Sequence, residues 1–198
     1  MKVYFDVGAH DGRDGFGSLI DAKYQKCYAF EIDKRMIDKI KGSSKVWGGQ
    51  YVLIEKAVGS KNETMRYTSF KKSNVGSLHQ VDVNSIKGRD PRHFEIVDEY
   101  DVEVITLADF CKENNIECID HLHIDTQGND YEVILGLGDY INIVQSGELE
   151  CYDTTQKNLY RNTTNTLENC KTYLEAAGFE CSFERQSNHD GNLKFKRL

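Results

Sequence analysis

The sequence predicts an α/β fold: a doubly wound, mostly parallel seven-stranded sheet with helices on both faces and an antiparallel C-terminal hairpin at one edge. Three observations carry this. Short β-branched and aromatic runs alternate with segments of helical period, the pattern that lays right-handed crossovers onto a parallel sheet. The first run stops at a glycine-bearing loop, as a buried parallel strand does. The last two runs have no helix between them and read as a hairpin. In such folds the ligand sits at the carboxyl ends of the strands.

The elements follow in order. Residues 2–7 form the first strand, ended by Gly8, and Leu19, Ile20, Ala22 and Tyr24 fit a short helix. Residues 27–32 make the second strand. Asp33 caps a helix whose Met36, Ile37 and Ile40 lie at helical spacing. A third strand covers 51–54 and runs out near 56–59. Residues 60–101 are polar, with Gly76, Gly88 and Pro91 as punctuation, and read as an insertion or lid on a single domain spanning 1–198. Residues 102–105 alternate, as an exposed edge or lid strand would. Thr106 caps a helix through Leu107, Phe110 and Cys111, and residues 119–124 form a strand ending at Asp125. Tyr131, Val133, Ile134 and Leu137 share a helix, and residues 141–144 lead into a strand ending at 148–150. Leu167, Cys170, Tyr173, Leu174 and Ala177 mark a last helix closed by Gly178, before the hairpin of 179–183 and 193–196.

Composition removes several classes. Twenty-five basic against 32 acidic residues leave a net charge of −7, the wrong balance for gripping phosphate, so nucleic acid is not the expected partner. Six cysteines lack any CxxC spacing, which excludes a zinc knuckle and suits free thiols. No window approaches eighteen apolar residues and the first residues do not read as a signal peptide, so a cytoplasmic chain without membrane contact is expected. A homo-oligomer is compatible with all of this.

The most informative segment is Asp6-Val7-Gly8-Ala9-His10-Asp11-Gly12. A strand delivers Asp6 to a tight loop, Gly8 permits close backbone approach, and Gly12 opens a helix. The next strand ends in Glu31, placed to accept hydrogen bonds from both ribose hydroxyls of a nucleoside. His10 occupies the second glycine position of the dinucleotide fingerprint, so the pyrophosphate cradle is incomplete. Asp6 and Asp11 instead suit a ligand with positive charge, and S-adenosylmethionine carries a sulfonium and an amino group. An oxidoreductase using NAD is the competing reading.

At these residues the chain resembles the FkbM-type family of class I methyltransferases. The likeness rests on 6–12, Phe30-Glu31, Ala57-Val58-Gly59 and Thr106-Leu107-Ala108-Asp109-Phe110. It is strongest over 119–130, followed by Val133-Ile134-Leu135-Gly136, and it closes with Gly178-Phe179. His123 stands where the family has lysine, Gln127 where it has glutamate, Asn129 for a small residue and Asp130 for a second glutamate. The resemblance implies methyl transfer to a hydroxyl oxygen, often of a sugar or polyketide-like product; ribose methylation of RNA is an alternative. Cofactor contacts are expected from Asp6, Gly8, Ala9, His10, Asp11, Gly12, Glu31, Ile32, Ala57, Val58, Ser77 and Asp125. Asp125, His123 and His10 are the candidate bases, since an alcohol needs a proton acceptor. Asn74, Glu150, Tyr152 and Asp153 are candidate acceptor contacts, for a sugar or glycan hydroxyl. Asp125, Asp130, Glu148 and Glu150 form an alternative, less favoured, divalent-metal set.

Overall fold

The computed structural model describes residues 1–21, 23–82, 84–86, 89–153, 159–186 and 190–198. The expectations for Ala22 and Gly88 lie outside the described residues. The main sheet is built from β1 (Val3–Val7), β2 (Lys26–Phe30), β3 (Tyr51–Ile54), β7 (His121–Ile124), β8 (Ser146–Tyr152), β9 (Phe179–Arg185) and β10 (Asp190–Arg197). Between β3 and β7 the chain adds β4 (Ala57–Val58), β5 (Glu63–Phe70) and β6 (Ile96–Ile105). The sheet order is β3-β2-β1-β7-β8-β10-β9, parallel except that β10 runs antiparallel to both its neighbours. The expected seven strands and C-terminal hairpin are therefore present, and the order reverses between β1 and β7, where such sheets open a crevice.

Alternation along β1 feeds two cores. Val3, Phe5 and Val7 join one cluster with Leu107, Phe110, Ile134 and Leu174, on the face covered by α3 (Leu107–Glu113), α4 (Asp130–Leu135) and α5 (Leu167–Ala176). Tyr4 points the other way, into a second cluster with Leu19, Cys27, Ile40 and Tyr51 under α1 (Arg13–Ile20) and α2 (Lys34–Ser43). The local helix signals operate as expected: Asp33 accepts from the Arg35 amide and Thr106 from the Asp109 amide. Tyr24 is not helical, because α1 starts right behind Gly12 and ends at Ile20.

Two expectations about the polar stretch need correction. Residues 56–59 do not extend β3: Ala57 and Val58 pair in parallel with β6 in a separate three-stranded sheet, order β4-β6-β5. The strand read as an exposed edge over 102–105 is the end of the ten-residue β6, which is central in that small sheet. Its outward acids disguised it. Asp98, Asp101 and Glu103 are ion-paired to Lys34, Arg66 and Lys56, so a regular strand presents a charged face that reads as loop. This stretch is anchored rather than loose. Tyr67 and Ser69 hydroxyls and the Arg35 guanidinium converge on the buried Asp33 carboxylate, and Tyr100 donates to the Ile32 carbonyl at 2.8 Å. Burial raises Asp33, but the Arg35 bonds win and hold it below the usual carboxylate range. Among the described residues, no helix is long and apolar enough to cross a membrane.

Candidate active site

The loop after β1 owes its shape to Gly8, whose φ of 86° is left-handed and whose Cα abuts the Asp125 carbonyl, leaving no room for a Cβ. The Gly8 and Ala9 amides both donate to the Phe30 carbonyl at 3.0 Å, fastening the loop to the end of β2. The His10 amide then donates to Glu31 Oε2 at 2.6 Å, and Glu31 Oε1 accepts from the Ile32 and Asp33 amides at 2.7 Å each. Burial nevertheless dominates over these bonds and pushes the Glu31 carboxyl up to about 7.

Asp6, fully buried, lies behind this loop. Its Oδ2 accepts from the Gly15 amide at 3.1 Å, in the first turn of α1, and its Oδ1 lies 2.9 Å from His123 Nδ1. Burial pulls the His123 imidazole down, but the hydrogen bond and charge of Asp6 override it and lift it to about 9. The Asp6 carboxylate thus favours the charged form of the His123 imidazole. That suits a charge anchor for Asp6.

The facing wall comes from the turn after β7. Asp125 does not cap α4: its Oδ1 accepts from Gln127 Nε2 at 2.6 Å, and the helix begins behind Asn129 without a side-chain cap. The segment 73–78 closes the top, with Ser73 Oγ 2.8 Å from His10 Nε2 and Ser77 Oγ donating to the Gln127 carbonyl at 2.8 Å. These walls enclose a cleft of about 490 Å³. A second cavity of about 390 Å³ adjoins it, and Asn74, Asp125 and Gln127 line both.

The structure brings most expected residues together. Gly8, Ala9, His10, Asp11, Glu31, Ile32, Ala57, Val58, Asn74, Ser77, His123 and Asp125 line the cleft, and Glu150 and Tyr152 line the second cavity. Three do not fit. Asp6 does not line the cleft, because its carboxylate is consumed by α1 and His123. Gly12 does not either; its φ of 80° makes the turn into α1, and a Cβ there would strike Phe16. Asp153 lines neither cavity and pairs with Arg185. Nor is the metal set assembled, since among the described residues no three His, Cys, Asp or Glu side chains are placed to hold an ion.

Sequence reasoning missed Tyr67, which lines the cleft from β5, and Arg89 and Asp190, which line the second cavity. No local signal marks them. Gln127 stood inside the strongest motif, but its role depends on partners from β8 and from Tyr160.

The basic side chains that line the cleft are engaged with acids of the chain. Arg13 is already paired to Asp11 and Lys56 to Glu103, and the α1 terminus is satisfied by the Asp6 carboxylate, which would repel a phosphate. Asp11, Glu31 and Asp125 line the cleft as well.

The strand order, with β10 as the antiparallel strand, and a cleft at the β1–β7 crevice define a class I methyltransferase fold. Residues 6–181 match the Methyltransferase FkbM domain, and the chain belongs to that family. No curated protein matches it in sequence. Among solved structures it is similar to an FkbM methyltransferase from Methylobacillus flagellatus, with 11% identity and a TM-score of 0.61 over 98% of this chain and 43% of that one. It is also similar to M. capricolum TrmK in complex with S-adenosylhomocysteine (12%, TM-score 0.53, 99% and 62%). The N-terminal domain of human METTL16, again with S-adenosylhomocysteine, is a third (8%, TM-score 0.51, 100% and 62%). The chain thus spans less than two thirds of each of these proteins.

Proposed function

We propose that the chain is an S-adenosylmethionine-dependent O-methyltransferase that acts on a hydroxyl of a sugar or glycan. The observation that carries the reading is the pair of adjoining cavities joined at Asp125. One is nucleoside-sized, with Glu31 at the end of β2; the other is polar and lined by Tyr152 and Glu150. The family supports methyl transfer, and the hydroxyl acceptors that the resemblance implies support the finer reading. The fit to the cofactor is one of shape and charge: about 490 Å³ lies in the range of small-molecule sites, and the lining carboxyls suit a sulfonium and an amino group.

When bound, S-adenosylmethionine supplies an electrophilic methyl group. The chain's part is positional. Glu31 remains able to accept a ribose hydroxyl, and Ser73, Asn74, Gly76, Ser77 and Leu78 wall the cleft opposite it. Asp125, reaching both cavities, accepts the hydroxyl proton of the acceptor.

Calorimetry is expected to detect S-adenosylhomocysteine and not NAD. Glu31→Ala should weaken that binding about tenfold or more, since a hydrogen bond to a charged group is worth roughly 1.5–3 kcal/mol. Heat from NAD alone would overturn the cofactor assignment. With methyl-labelled cofactor and a panel of glycans, RNA and small phenols, label is expected in a glycan; label entering RNA alone would overturn the acceptor class.

A further inference from the structure

Gln127 sits in the turn between β7 and α4 with a left-handed φ of 56°, and its carboxamide is used at both ends. Oε1 accepts from the hydroxyl of the buried Tyr160 at 3.1 Å. Nε2 donates to Asp125 Oδ1 at 2.6 Å and reaches Glu150 Oε2 at 3.4 Å. In this orientation the amide hydrogens face the two carboxyl groups, and the amide oxygen shares the Tyr160 hydroxyl with the Val75 carbonyl, 3.0 Å from that hydroxyl. The main chain is pinned too, since Ser77 donates to the Gln127 carbonyl. Side chains of 125, 127 and 150 therefore meet where the two cavities meet.

We propose that Gln127 is a positioning residue for the transfer: a neutral two-hydrogen donor that aims the Asp125 carboxylate into the junction and separates it from Glu150. The inference rests on the methyl-transfer reading of the paired cavities. Asp125, just past β7, faces His123 of that strand and His10 and Asp6 from β1 and its loop. Glu150 faces Asp125, Asp130 of α4, Asp190 of β10 and Cys151 beside it. Like charges so crowded favour protons, and a donor between the two carboxyls lets one of them ionise. Burial raises Asp125, and the bond from Gln127 works against that rise. Burial and the charge of Asp125 push Glu150 up to about 9, so the two carboxyls crowd each other at the junction and the donor from Gln127 favours the charged form of Asp125. A glutamate at 127 would bring a third carboxylate into the same contacts.

The test is a side-chain carboxyl NMR titration of the full chain, labelled with carbon-13 at aspartate and glutamate. Wild type is compared with Gln127→Met, which keeps the length and removes the donor. Asp125 is expected to titrate about one pH unit or more higher in Gln127→Met. Gln127→Glu should raise it as well, and supplies the comparison if Gln127→Met fails to fold. A purely structural role would lower the melting temperature and leave the Asp125 titration in place. An unmoved Asp125 in a variant that folds and binds S-adenosylhomocysteine overturns the assignment of Gln127 alone. Failure of wild type to bind S-adenosylhomocysteine overturns the functional reading instead, and is read from a separate calorimetric measurement.

Discussion

Asp125→Asn is expected to reduce turnover on the order of 10²–10⁴-fold while leaving affinity for S-adenosylhomocysteine nearly intact. The expectation follows from position. Hydrogen-bonded β1 and β7 place the Asp125 amide on the Val7 carbonyl at 2.9 Å, so the side chain leaves the sheet beside the glycine loop. It is then the carboxyl group common to both cavities, and asparagine keeps its size while removing the proton-accepting charge. Burial raises Asp125, so the wild-type rate should fall on the acid side as it gains a proton, and the variant should lose that limb. His123 has a different signature. Its removal strands the buried Asp6 carboxylate, and His123→Ala should unfold more readily before it reports on chemistry. Turnover that survives in Asp125→Asn and collapses in His10→Ala would move the base to His10.

How much of this was legible in the sequence depends on how local each cause is. Asp33 and Thr106 cap their helices through amides two or three residues away, so residue type and spacing sufficed. The doubly wound, mostly parallel character of the main sheet followed from alternation of strand and helix, because crossover handedness leaves few arrangements. The small sheet was hidden for the opposite reason. In β5 only Tyr67, Ser69 and Phe70 are buried, and what buries Ser69 is Asp33 and Arg35, distant in sequence. Asp6 shows the same limit at the site. Its place before a glycine loop was visible, whereas its capture by His123, 117 residues away, was not, and that capture removes it from the ligand surface. Departures from the family pattern at His123 and Gln127 marked positions where charge is arranged differently, without saying how.

The stability of the free protein should fall as pH rises from about 5 to 9, by on the order of 3 kcal/mol or more. Four groups, Glu31 and Asp130 buried and His123 and Glu150 partly so, hold protons more tightly folded than unfolded. Burial lifts Glu31 from 4.5 to about 7 and Asp130 from 3.8 to about 7, the charge of Asp125 adding to Asp130. Burial with neighbouring acids lifts Glu150 from 4.5 to about 9, and the Asp6 pairing overrides burial to lift His123 from 6.5 to about 9. The sign is the same for all four. Each contribution is complete below the unfolded value and is lost as pH passes through the folded one. The windows are therefore 4.5–7 for Glu31, 3.8–7 for Asp130, 4.5–9 for Glu150 and 6.5–9 for His123. Asp33 runs the other way: its lowered value stabilises the fold above 3.8 and is lost as the solution becomes acid, which sets the low-pH side of the optimum. Holding a proton tenfold more tightly when folded is worth about 1.4 kcal/mol, so a fraction of the combined effect of these four groups is enough for the expected fall. Urea midpoints at pH 5, 7 and 9 and constant ionic strength would measure it. Glu150→Gln, which carries no charge to bury, should flatten the curve between 7 and 9 and be the more stable protein at pH 9. Midpoints that are level or rising across this range would show that these carboxyls ionise freely in the folded chain.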